Sequence, residues 1–178
     1  SRGLKGVSCR IHMGEDTFDV LVPTPGIHMV YNALAAAAVG RIYGLTIEEI
    51  KRGIESLETI RGRFKMIETE NFLVVDDCYN ANPMWMKASL DVLHDGEGRR
   101  VAILGDMGEL GENEISLHEE VGEHAAKCGI DVCICVGELS SHIAEAARKA
   151  DSKYITKKTE NLFLRTLEDM SIKEIRFS

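Results

Sequence analysis

Residues 76–83, DDCYNANP, place two adjacent carboxylates, a phenol and two amides between an apolar run, NFLVV, and a helix-patterned run that opens at Pro83. Ordinary turn chemistry accounts for one or two of them, since Asn and Asp cap helices whose first residue is proline. The remainder offers the chemistry of a nucleotide site. Asp77 suits ribose hydroxyls or the water of a cation, Tyr79 presents a flat face to a base, and Asn80 and Asn82 read donor and acceptor patterns. Both readings stand at this level.

A second loop, GDMGELGE at 105–112, follows another apolar run and is rich in glycine. Its spacing is G-x-x-G-x-x-G, no G-K-[ST] follows, and Asp106, Glu109 and Glu112 would repel a phosphate. Such a loop suits an amine, a water or a cationic side chain, or is a solvated acidic turn. His28 and Asn32, four apart, share one face of a helix near its positive N-terminus, where polar atoms of a nucleotide would be welcome. They are equally explained as capping or buried-network residues. Arg61 and Arg63 in RGR are either surface charges or guanidinium forks for a phosphate.

The elements that must position these residues follow from periodicity. GVSCRIHM and TFDVLVP alternate as strands around the turn GED. A helix runs from Pro25 to a stop at Gly44, with Thr24 available as N-cap. A second helix starts at Thr46, which forms a capping box with Glu49. ETIRGR breaks the pattern and joins two parts. Beyond it the apolar runs NFLVV, RVAILG, DVCICVG, KYI and EIRF alternate with helical segments near 83–95, 113–128, 138–150 and 159–170. Continuous apolarity fits strands covered on both faces, and strand-helix alternation predicts an α/β, doubly wound, mostly parallel sheet. Ligands of such sheets gather at the carboxyl ends of the strands, where both loops lie.

Composition excludes several classes. The formal charge of −8 and the lack of a basic block argue against a nucleic-acid partner. The five cysteines form no C-x-x-C pair and no paired Cys/His cluster, so reduced thiols are expected and a metal site is not. No apolar stretch of about 18 residues suggests a membrane span, and a cytoplasmic location is expected.

Taken in order, PGIHMVYNALAAAAVG, GRF, DDCYNANP, GDMGELG and HEEVGEHA closely resemble the Mur ligases of bacterial peptidoglycan synthesis, from about residue 20 to about residue 160. YNANP and GDMGELG resemble the type that joins D-alanyl-D-alanine to UDP-N-acetylmuramoyl tripeptide. The resemblance implies that residues 1–62 are the end of the central ATP-binding domain. Residues 63–178 are then a Rossmann-like C-terminal domain, cut short at its end. It also implies ATP-dependent amide formation through an acyl phosphate, with ATP and Mg2+ as cofactors and a monomeric enzyme.

By the same resemblance Asn32 and His28 lie at the adenine, Arg63 contacts the ATP phosphates and takes part in catalysis, and Asp77 lies near the ribose. Tyr79, Asn80 and Asn82 line the nucleotide. Asp106 and Glu109 sit close to the reaction centre, with His118 either beside them or purely structural. Met29 stands where the family commonly has a first Asn, and Trp85 where it has a small residue. The family's phosphate loop, magnesium-binding glutamate, modified lysine and UDP-binding domain are not among these residues, so the chain is expected to be a fragment without turnover and with weak nucleotide binding. A noncatalytic receiver-like module is the alternative, although no late-strand lysine or lone phosphoacceptor Asp stands out.

Overall fold

The computed structural model describes residues 6–151. The chain divides into two compact units, Ser1–Asn80 and Ala81–Ser178. In the first unit, β1 (Val7–Met13) and β2 (Asp16–Val22) form an antiparallel hairpin in which Met13 faces Asp16. Gly14 at φ 65° supplies the left-handed residue that a two-residue loop needs. Phe18, Val20 and Val22 point to one side and form a core with Val30, Ala33 and Ala37 of α1 (Ile27–Ile42) and Ile50 and Ile54 of α2 (Ile47–Glu55). Ala33 and Ala37 of the alanine run thus serve close packing, while Ala35, Ala36 and Ala38 are exposed. α2 carries the capping box expected from sequence: the Glu49 N–H donates to Thr46 Oγ1, and the Thr46 N–H donates to Glu49 Oε2 at 2.8 Å. α1 differs at its start. Thr24 is buried and does not cap it; the N-cap is Gly26 at φ 99°, a backbone conformation that glycine adopts without the Cβ penalty.

The apolar run at 71–75 becomes β4 (Leu73–Asp76), but its partner is β3 (Lys65–Glu68), antiparallel, with Lys65 facing Asp76. Sequence periodicity did not separate β3. The compact division falls after Asn80, and hydrogen bonds that tie 62–64 to 76–79, described below, keep these two loops in one unit.

In the second unit, α3 (Pro83–His94) precedes β5 (Val101–Gly105), α4 (Glu114–Lys127), β6 (Val132–Val136) and α5 (Ser140–Ala150). β5 and β6 pair in parallel, Val101 facing Val132, across the α4 crossover. Val132 to Cys135 are all buried, as a strand covered on both faces requires. The core gathers Leu90, Met107, Val121, Ala125 and Ile143 around β6. Gly122 of α4 is buried against the backbone of α5 at Ile143. The expected strands KYI and EIRF and the helix at 159–170 lie outside the described residues. Among the described residues no helix is long and apolar enough to cross a membrane.

Candidate nucleotide site

The adjacent carboxylates of 76 and 77 have a structural task that explains the pair. Asp76 Oδ2 accepts from the Gly62 N–H at 3.0 Å, Asp77 Oδ1 accepts from the Phe64 N–H at 3.1 Å, and the Tyr79 N–H donates to Gly62 O at 3.0 Å. Two loops distant in sequence are thereby clasped together. Gly62 (φ 76°) and Phe64 (φ 52°) are both left-handed, and a side chain at 62 would press on Tyr79. For Phe64 that conformation costs about 1 kcal/mol, offset by burial of its ring and the bond to Asp77.

The clasp arranges the side chains singled out by sequence. The Arg63 guanidinium lies over the Tyr79 ring, 4.0 Å from its centroid, with both residues exposed. Stacking fixes the fork without consuming its charge on a carboxylate. One face of Tyr79 is therefore taken, leaving the other for a base. His28 packs edge-on against Phe64, centroids 5.9 Å apart, so the start of α1 meets the same clasp. Burial holds His28 below the ordinary imidazole range, outweighing the opposing pull of the Asp77 carboxylate, and the ring is neutral at pH 7. Asn32 is exposed one turn further along α1, its amide 3.7 Å from Met29 Sδ. Asn80 is exposed at the end of the loop.

The clasp is pH-dependent with a defined sign. Asp76 is held below the ordinary carboxylate range by the Cys78 thiol, then, with burial opposing, by the Gly62 and Cys78 N–H groups. A lowered folded-state value means that the unfolded chain takes up the proton first. Stability from Asp76 is full above pH ~4 and that from His28 above pH ~6.5, and each declines as pH falls further. Urea midpoints of the first unit measured between pH 8 and 3 are expected to fall in two steps; Asp76→Asn should shrink the lower step, to which Asp19 and Glu49 also contribute, and leave the upper one.

The second unit holds the remaining sequence candidates. Asn82 is the N-cap of α3: its Oδ1 accepts from the Trp85 N–H at 2.9 Å, with Pro83 following. Among the described residues Asp106 is bonded by backbone N–H groups rather than by a cationic side chain. Its carboxylate accepts from the Ser140 N–H at 2.6 Å and the Glu138 N–H at 3.1 Å, at the start of α5. Burial raises its pKa, but the bonds from Ser140, Leu139 and Glu138 outweigh that and leave it lowered. Gly137 is required beside it, since a Cβ there would overlap the carboxylate. His118 is fully buried; its Nε2 accepts from the Met107 N–H at 3.0 Å, so its Nδ1 carries the proton and donates to Glu114 O at 2.6 Å. These two bonds tie the loop after β5 to α4. Glu109 is exposed, at φ 60°. Gly62 and Phe64 entered the sequence reading only as part of the GRF stretch, without a role, and Gly137 was not singled out; the glycine directly after a buried strand, VCICVG, was the visible signal for it.

Comparison with known proteins places these features. The profile of the family described as Mur ligase, glutamate ligase domain, matches residues 62–171. The UDP-N-acetylmuramoyl-tripeptide–D-alanyl-D-alanine ligase of Escherichia coli is 45% identical over 130 residues, covering 72% of this chain and 29% of that enzyme. Among solved structures, MurF from Acinetobacter baumannii superposes with a TM-score of 0.82 at 31% identity, over 93% of this chain and 36% of the other. MurF ligase from Thermotoga maritima, solved in complex with ADP, gives 0.78 at 25% identity over 96% and 38%. The chain thus spans about a third of the length of the relatives it matches. Their likeness establishes the α/β fold of the Mur ligase C-terminal domain. With the family profile covering more than half of the residues, the chain belongs to the Mur ligase family.

Proposed function

We propose that the chain is the part of an ATP-dependent amide ligase that joins D-alanyl-D-alanine to UDP-N-acetylmuramoyl tripeptide in cytoplasmic peptidoglycan synthesis. Residues 1–62 then close a central ATP-binding domain, and 63–178 form the C-terminal domain of a monomeric enzyme. The observation that carries the reading is the stacked pair Arg63 and Tyr79 on a rigid clasp shared with Asp77 and His28. A carboxylate is a poor electrophile; phosphorylation by ATP gives an acyl phosphate, which the dipeptide amine attacks to release phosphate. The protein's share is to position groups and to balance phosphate charge.

On this reading Arg63 is the phosphate contact and the free face of Tyr79 takes the base. Asp77 and Asn80 lie towards the ribose, and His28 and Asn32 line the adenine. Asn82 caps α3; Asp106, tied to the start of α5, and the exposed Glu109 are the acidic side chains placed towards the reaction centre, with Glu112 a third carboxylate of the same loop. Mg2+ would neutralise phosphate charge, held by one or two carboxylates together with phosphate oxygens and water; among the described residues the group of three donors close enough to hold an ion, Asp91, His124 and Cys128, brings a thiol and an imidazole and suits a softer metal. No step is therefore assigned to a magnesium ion held by this chain. No G-x-x-G-K-[ST] loop is present in the 178 residues, so triphosphate binding by them alone is weak.

The test is a titration of the isotope-labelled chain with ADP and with Mg2+-ATP, followed by NMR. Shifts are expected at His28, Arg63, Asp77 and Tyr79, saturating only in the millimolar range. Shifts absent from all four, or amide formation by this chain alone from ATP and both substrates, would overturn the reading.

A further inference from the structure

The C-terminal halves of α3 and α4 meet at a polar cluster that the ligase reading leaves unused. Asp91 comes from α3; His124 and Cys128 come from α4, four residues apart and therefore on one face, with Cys128 as the C-cap. Asp91 Oδ1 lies 2.7 Å from His124 Nε2 and 3.4 Å from Cys128 Sγ. The three candidate donor atoms all lie within 4.8 Å of one another. We propose that Asp91, His124 and Cys128 form a binding site for zinc or a similar borderline-soft divalent cation that ties α3 to α4.

The donor set decides the metal class. A thiolate, an imidazole and a carboxylate match zinc, whereas magnesium and calcium take oxygen. Zinc bonds of about 2.0–2.3 Å set tetrahedral donors roughly 3.3–3.8 Å apart; the Asp91 and Cys128 atoms already stand at 3.4 Å, the Asp91 and His124 pair must spread from 2.7 Å, and the His124 and Cys128 atoms, within 4.8 Å of each other, must draw to the same range. Cys128 is buried while the Asp91 and His124 side chains are 61% and 28% exposed, which gives the ion a route in and a fourth position for water. The surroundings are braced. His94 Nδ1 donates to Cys128 O at 2.6 Å, and Lys87 pairs with Glu120 across the same two helices at 2.7 Å. Binding releases the thiol proton to solvent and shifts the imidazole proton from Nε2, which donates it to Asp91 in the free chain, to Nδ1 through solvent, so that Nε2 gives its lone pair to the metal; thiolate and carboxylate balance the two positive charges. Sequence spacing hid the set because one ligand comes from another helix.

The probe is Co2+ alone, titrated into the 178-residue chain under a phosphine reductant and watched for the sulfur-to-cobalt charge-transfer band. One equivalent is expected to bind, Zn2+ to displace it, and Zn2+ to raise the Tm of the second unit. Cys128→Ser should abolish the band and Cys78→Ser, at an exposed thiol, should keep it. Asp91→Asn, at an exposed position, should weaken binding at least tenfold with an unchanged circular dichroism spectrum, a check independent of how Cys128→Ser folds. No band at millimolar Co2+ would show a hydrogen-bonded bridge and nothing more. A band unaffected by Cys128→Ser or by Asp91→Asn would assign the metal elsewhere, for instance to the buried Cys133 and Cys135 sulfurs, 3.7 Å apart. Either outcome overturns the proposal.

Discussion

Gly122→Ala is expected to destabilise the second unit by about 2 kcal/mol or more, seen as a lower urea midpoint, and Gly122→Val to prevent that unit from folding. Two effects of opposite sign compete. Alanine is the better helix former by about 1 kcal/mol, which favours the substitution. Its Cβ, however, would fall inside the contact radius of the Ile143 carbonyl oxygen, 2.9 Å from the carbonyl carbon and 3.0 Å from Ala146 Cβ. Those are mostly backbone atoms of α5 and cannot swing aside, so the two helices must separate, and the buried Val121, Ala125 and Ala147 would lose contact with them. Overpacking therefore wins. Gly53→Ala on α2 is the control: nothing lies within 4 Å of its Cβ position, and a gain of roughly 0.5–1 kcal/mol is expected from helix propensity alone. An unchanged midpoint for Gly122→Ala would mean that α4 and α5 are not in backbone contact.

Arg63→Ala is expected to weaken nucleotide binding by roughly 10- to 100-fold, the range for a lost hydrogen bond to a charged group, taking millimolar binding out of reach of titration. The guanidinium is held over Tyr79 at 4.0 Å, so its rotamer freedom is already spent before a phosphate arrives. Arg63→Lys should recover little, because an ammonium neither stacks in the same way nor offers a bidentate fork. Tyr79→Phe should bind as the parent does, since the ring face remains, whereas Tyr79→Ala should fall between parent and Arg63→Ala. Equal affinity for parent and Arg63→Ala, with the clasp intact by NMR, would remove Arg63 from the nucleotide site.

Features set by neighbouring residues were legible in the sequence. The Thr46 and Glu49 capping box, the Gly44 stop and the Gly14 turn each depend on contacts within a few positions, and each is present. Helices expected at 83–95, 113–128 and 138–150 appear within two residues at each end. What sequence missed depends on distant partners. β3 exists because β4 pairs with it, and KMIE alone has no strong alternation. The doubled carboxylates at 76 and 77 were visible as unusual, but the Gly62 and Phe64 N–H groups they satisfy come from another loop. Asp106 pointed towards chemistry in sequence; its partners at 138 and 140 are brought near by the parallel pairing of β5 and β6, information that no local window contains.

The left-handed backbone of Glu109 sets two demands against each other. A residue with a Cβ gives up about 1 kcal/mol to hold φ 60°, and glycine in its place would relax the loop. The same exchange would delete the negative charge assigned above to the reaction centre. At position 109, then, sturdiness and the role proposed for this carboxylate pull in opposite directions, and a sequence optimised for heat resistance alone would discard it.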